Sequence, residues 1–136
     1  MNFAQFLLNA GFNATYDQNV NAYRFQQPVT GRTGTFGTWL SQDLRSSEVG
    51  ISLSLLAINN ESVASEITRR LARENAIHAP VTFKLMACQT GESCKYLLSA
   101  YIWLDLARVD EKVFRASVNR LVSVAESTRD LWDSRR

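Results

Sequence analysis

Chemistry near neutral pH most often needs a histidine, and this chain has one, His78. It falls at the end of an expected helix, two residues before Pro80, with no cysteine or carboxylate around it at a metal-ligand spacing. A helix-end or solvated imidazole follows from that setting. A Ser–His or Cys–His pair would have to be built on this single residue, and no Gly-x-Ser-x-Gly elbow occurs to present a nucleophile. The run Gly31-Arg-Thr-Gly34-Thr-Phe-Gly37 could cradle an anion on its backbone amides, but it lacks the P-loop spacing and its Gly-Lys-Ser/Thr ending, and it leads into a strand. It reads as a hairpin turn. Asp17, Asp43, Glu48, Asp105 and Asp110 are dispersed over loops and helix starts, so no two of them form an acid and base pair. The expectation is a protein that is no enzyme, with no metal and no cofactor.

Two further groups of residues carry reactive or charged chemistry. Cys88 and Cys94 flank an expected hairpin loop, where opposed residues come within disulfide reach. A redox-sensitive clip is open to them, while a reducing cytoplasm favours two free thiols, which is the expectation. Arg69, Arg70 and Arg73 cluster on the polar side of a helix, beside Glu66 and Glu74 at ion-pair spacing. A solvated, internally paired face is the first reading, and contact with an anion or nucleic acid the second.

The elements that must position these residues can be read from apolar spacing. Phe3, Phe6, Leu7 and Ala10 share one helical face, and Gly11 stands where a C-terminal cap would. Val20 to Gln26 and Thr35 to Gln42 are expected strands separated by a turn over Gln27 to Gly34. Val49, Ile51, Leu53 and Leu55 alternate with Gly50, Ser52 and Ser54, which gives a third strand one core face and one thin polar face. Asn59 or Asn60 can cap a second helix bearing Val63, Ile67 and Leu71, which must stop before Pro80. Val81 to Cys88 and Tyr96 to Leu106 form an expected hairpin around Gln89 to Ser93. A closing helix starts near Asp110 and Glu111 and carries Phe114, Val118, Leu121, Ala125, Thr128 and Leu131 on one stripe. Strands grouped in this way predict an α+β fold with an antiparallel sheet and the element order α-β-β-β-α-β-β-α.

Length and composition agree. At 136 residues and 15.3 kDa the chain has room for one core, so residues 1–136 are read as a single domain. A net charge of +2 and a pI near 8.7 are too balanced to predict a phosphate-neutralising surface, and nucleic acid is disfavoured as a partner. The start, Met1-Asn-Phe-Ala-Gln-Phe, shows no basic leader or small-residue cleavage site, and no apolar run is long enough to cross a membrane. A soluble cytoplasmic protein is expected.

Surface is the feature that remains. In the strand from Tyr96 to Leu106 one face carries Tyr96, Leu98, Ala100, Ile102 and Leu104, and the other Leu97, Ser99, Tyr101, Trp103 and Asp105. Both are apolar. With helices on one side only, Leu97, Tyr101 and Trp103 would be exposed beside Trp39 as a contact surface. A covering helix or second sheet would bury them instead. Trp132, near the end of the last helix, reads either as core edge or as contact anchor.

Asn9-Ala-Gly-Phe12, Leu55-Leu-Ala-Ile-Asn-Asn60, Leu71-Ala-Arg-Glu-Asn-Ala76, Asp110-Glu-Lys-Val-Phe114 and Val118-Asn-Arg-Leu-Val122, taken in this order of elements, resemble the YbjN-type family of bacterial sensory-transduction regulators. That family shares the fold of type III secretion chaperones. The resemblance implies a compact, often dimeric α+β domain that holds segments of partner proteins on a groove or sheet face without ATP. Secretion chaperones of that fold are typically acidic, and this chain is slightly basic. No catalytic residue carries over. The expected function is a non-enzymatic protein-binding module, chaperone-like or a regulatory adaptor, acting as a homodimer. Trp39, Leu97, Tyr101, Trp103 and Trp132 are its expected interface. The alternative is a nucleic-acid-associated regulator using Arg69, Arg70 and Arg73, with Arg32 or Arg45 in support.

Overall fold

A computed structural model of the protein describes residues 2–42, 47–89 and 92–133. The first helix, α1 (Phe3–Asn9), begins where the Asn2 side chain accepts the Gln5 N–H at 3.1 Å, and it turns Phe3, Phe6 and Leu7 inward. Past it, Gly11 takes a φ of 95°, a left-handed setting that glycine adopts without steric cost. A three-residue strand, β1 (Thr15–Asp17), then precedes β2 (Ala22–Val29), β3 (Arg32–Gln42) and β4 (Ser47–Ile58). The helix α2 (Glu61–His78) is capped by Asn60, whose side chain accepts the Ser62 and Val63 N–H groups. Next come β5 (Thr82–Ala87), β6 (Tyr96–Asp105), α3 (Glu111–Ser127) and the single turn α4 (Arg129–Trp132). Asp110 caps α3 by accepting the Val113 N–H at 2.8 Å.

The six strands form one antiparallel sheet in the order β1-β2-β3-β4-β6-β5. The expected fold class and element order hold, with β1 and α4 as additions. The turn between β2 and β3 is tighter than the sequence suggests. Thr30 and Gly31, both at positive φ (50° and 77°), close a two-residue hairpin of the type whose twist matches the flanking strands, so Gln27, Pro28 and Val29 lie in β2 opposite Gly34, Thr33 and Arg32.

The described helices pack on one side of the sheet. Phe36, Val49, Ile51, Leu53, Leu98, Ala100 and Ile102 face them and are buried, against Ile67 of α2 and Phe114, Val118 and Leu121 of α3. Phe114 is the centre of an aromatic group, with its ring 5.7 Å from Phe6, 5.4 Å from Phe12 and 6.5 Å from Phe25. At the other end, Asn75 of α2 grips the outer strand: it accepts the Phe83 N–H at 2.6 Å and donates to the Phe83 carbonyl at 3.2 Å. Both outward backbone groups of that residue are thereby satisfied.

Trp132 belongs to this core. It is 1% exposed and donates its indole N–H to the Ala125 carbonyl at 3.1 Å, so the contact-anchor reading is corrected: α4 folds the end of the chain back over α3 instead of extending its stripe into solvent. Trp132→Ala should therefore lower the unfolding free energy by about 3–5 kcal/mol, as for other large-to-small core changes. A chemical-denaturation curve measures it, and a change under about 0.5 kcal/mol would be the value for a surface residue.

Candidate functional site

Period two along the strands sends every second residue to the side of the sheet that no described helix covers. The registers stack these residues in rows. Ser41, Glu48 and Asp105 form the first, Trp39, Gly50 and Trp103 the second, and Gly37, Ser52, Tyr101 and Thr82 the third. Thr35, Ser54, Ser99 and Lys84 form the fourth. The centre of this face is small or hydroxylated, and its flanks are aromatic or long. The outcome is a trough of about 620 Å³.

Glycine at position 50 sets the aromatic end. A Cβ there would lie 2.5 Å from the Trp39 indole, so the bare backbone of β4 is what lets that ring lie across the strand. Crossing it, Trp39 meets Trp103 edge to face, with centroids 5.4 Å apart at 84°, and Tyr101 at 6.2 Å and 75°. Beneath, the buried Thr38 hydroxyl donates to the Gly50 carbonyl at 2.8 Å and fixes the same spot from the core side. Lys84 places its ammonium 5.4 Å from the Tyr101 ring, and the Tyr101 hydroxyl donates to the Met86 sulfur at 3.5 Å. Trp103 is 39% exposed and Met86 53%, large values for apolar side chains.

Of the expected contact residues, then, Trp39, Leu97, Tyr101 and Trp103 share one face, and Trp132 lies on the far side in the core. Gly37, Gly50, Met86 and Lys84 are not among the contact residues expected from sequence. Their signal was the thin Gly50-Ser52-Ser54 alternation of β4, which became meaningful only with β3 and β6 beside it.

The wall of the trough past Lys84 includes Cys88, Gln89 and Glu92. The two cysteines, expected as free thiols, are joined in a disulfide, their Cα atoms 5.9 Å apart. Backbone bonds hold the chain beside them: Cys88 donates its N–H to the Lys95 carbonyl, and Lys95 donates its own to the Ile58 carbonyl.

Of the arginine cluster, Arg70 is paired with carboxylates. Arg70 bonds Glu74 at 3.2 Å and Asp130 of α4 at 2.7 Å, which ties α2 to the end of the chain. Arg69 and Arg73 are exposed. Arg32 pairs with Asp133 at 2.9 Å, and Arg45 lies outside the described residues, as does Asp43. His78, expected to have no carboxylate beside it, has its Nε2 3.4 Å from Glu74, one helical turn earlier on α2. The hydrogen bond from Arg70 holds the Asp130 carboxyl below its ordinary value, and the bond to Asp130 pushes the Arg70 guanidinium up.

The architecture is that of an α+β domain with one covered and one open sheet face. No protein-family model matches the chain, and no curated protein matches it. Among solved structures, YbjN from E. coli, described as a candidate transcription regulator, is similar: the TM-score is 0.66 at 15% identity, covering 94% of this chain and 89% of that one. The likeness is one of fold. Among the described residues, no helix is long and apolar enough to cross a membrane.

Two outcomes follow from this geometry. Gly50→Ala should displace Trp39, weaken the near-ultraviolet circular dichroism of the tryptophan pair and cost about 1–3 kcal/mol, as overpacking does. A folded-state carboxyl that titrates low contributes stability above the ordinary carboxylate range and loses it as the pH falls through its own pKa. The stability difference between the native protein and Arg70→Gln, a small one because Asp130 is 71% exposed, should therefore shrink on acidification through that range in denaturation series at stepped pH.

Proposed function

We propose that this protein is a non-enzymatic protein-binding module, chaperone-like or a regulatory adaptor, which works as a homodimer paired through the open sheet face. The observation that carries the reading is the row Trp39, Gly50 and Trp103, continued by Tyr101 and Met86. Large apolar side chains pack against one another on a face that no described helix covers, and aromatic residues so placed are typical contact anchors. The reading takes the protein to need no cofactor and to perform no covalent chemistry. Its only imidazole is engaged with Glu74, in the helix layer opposite the trough.

A cytoplasmic location fits this reading only with the Cys88–Cys94 bond reduced, because the cytosol keeps thiols reduced. A disulfide-bonded protein would work in an oxidising compartment.

Molar mass by light scattering over a dilution series tests the proposal. The native protein should remain dimeric on dilution, while Trp103→Ser and Tyr101→Ser should be monomeric and still unfold cooperatively. Variants that lose cooperative unfolding would make those residues structural and remove the open face as an interface.

The second reading, a nucleic-acid-associated regulator, is favoured by the description of the YbjN structure. It must work with Arg69 and Arg73, since Arg70 is held by two carboxylates. Such binding weakens steeply with salt. Absence of a mobility shift with DNA or RNA at low ionic strength would dispose of it.

A further inference from the structure

Reduction of the disulfide would leave three metal-ligating side chains converging at the rim of the trough. The sulfurs of Cys88 and Cys94 and a carboxylate oxygen of Glu92 all lie within 4.8 Å of one another. We propose that the reduced protein binds a zinc ion through Cys88, Cys94 and Glu92, and that the disulfide and the metal are mutually exclusive states of this site. The inference stands apart from the protein-binding reading and needs none of it.

The geometry suits zinc. Zinc binds thiolates at about 2.3 Å in a tetrahedral arrangement, which sets two sulfurs about 3.8 Å apart. Cysteines whose Cα atoms are 5.9 Å apart reach that separation by side-chain rotation once the S–S bond is gone, with the backbone in place. The backbone is also fastened on both sides of the site. Cys88 N–H bonds the Lys95 carbonyl at 3.0 Å, and Lys95 N–H bonds both the Ile58 carbonyl at 3.0 Å and the Asn59 side chain at 3.1 Å. Glu92 is tied to Gln89: its Oε1 accepts the Gln89 N–H at 2.8 Å, and its N–H donates to the Gln89 carbonyl at 3.1 Å. Two thiolates with one carboxylate select zinc over magnesium or calcium, which take oxygen donors. Three protein ligands leave the fourth position to water.

The interconversion balances. A dithiol reductant gives two electrons and two protons to the Cys88–Cys94 bond and becomes a disulfide itself, leaving two thiols. Zinc then binds as both thiols release their protons. The oxidised form has no thiolate to offer.

The test is a zinc titration against a chromophoric competitor, with the protein kept anaerobic in a phosphine reductant that does not chelate metal. The reduced protein should bind about one zinc per chain, and the disulfide form none. Cobalt in place of zinc should give the intense thiolate-to-metal charge-transfer band. Loss of even a supporting residue around a metal ligand costs on the order of tenfold or more in affinity, so Glu92→Gln, at an exposed position that leaves folding intact, should weaken binding at least as much. Zinc uptake by the reduced protein no greater than that of the Cys88→Ser/Cys94→Ser double variant would overturn the proposal. A cobalt complex without the charge-transfer band, or unchanged affinity in Glu92→Gln, would overturn it equally.

Discussion

Strict alternation along β4 is the constraint on which the rest of the molecule rests. It lies between β3 and β6 with different demands on its two sides: Val49, Ile51 and Leu53 must meet the helices, while Gly50, Ser52 and Ser54 must stay low beneath the aromatic rings. A slip of one residue in either pairing would put serines into the core and valine or isoleucine under Trp39. The irregularity between Ser54 and Leu56 comes only after these rows, where the strand bends and both Leu55 and Leu56 are buried. Core and trough are thus two sides of one register.

Much of this was legible from sequence because it depends on neighbours along the chain. The alternation of β4, the stripe of α3 as far as Ala125, the Asn60 cap and the stop before Pro80 are local patterns, and each of these formed where its pattern lay. What escaped depends on residues distant in sequence. Thr30 can take a positive φ because Val29 and Arg32 pair on either side of it, which no preference of threonine foretells. Trp132 is core because α4 turns back at Thr128, whose hydroxyl bonds the Val124 carbonyl at 2.8 Å. The face of β6 could be seen to be apolar on both sides, but which side the helices would cover was set by α2 and α3 together.

The charged residues divide along the same boundary. On the helix side the ion pairs are structural ties: Arg70 to Glu74 and Asp130, Arg32 to Asp133, Arg129 to Asp133. On the open side, Arg24 pairs with Asp17 at 3.1 Å, Lys84 leans over Tyr101, and Glu48 stands in register with Asp105, which Arg108 approaches at 3.8 Å.

Asn75 has a bearing on how the protein behaves in a crowded solution. An outer strand of a sheet offers free amide and carbonyl groups to any passing chain, and uncontrolled growth by strand addition is the usual hazard. With the outward groups of Phe83 already bonded to a side chain from α2, a foreign strand cannot run along the full length of β5 without first dislodging the helix. Fraying of α2 from its C-terminal end would therefore uncover a growth point, which makes the integrity of that helix a safeguard against fibre formation as well as a part of the core.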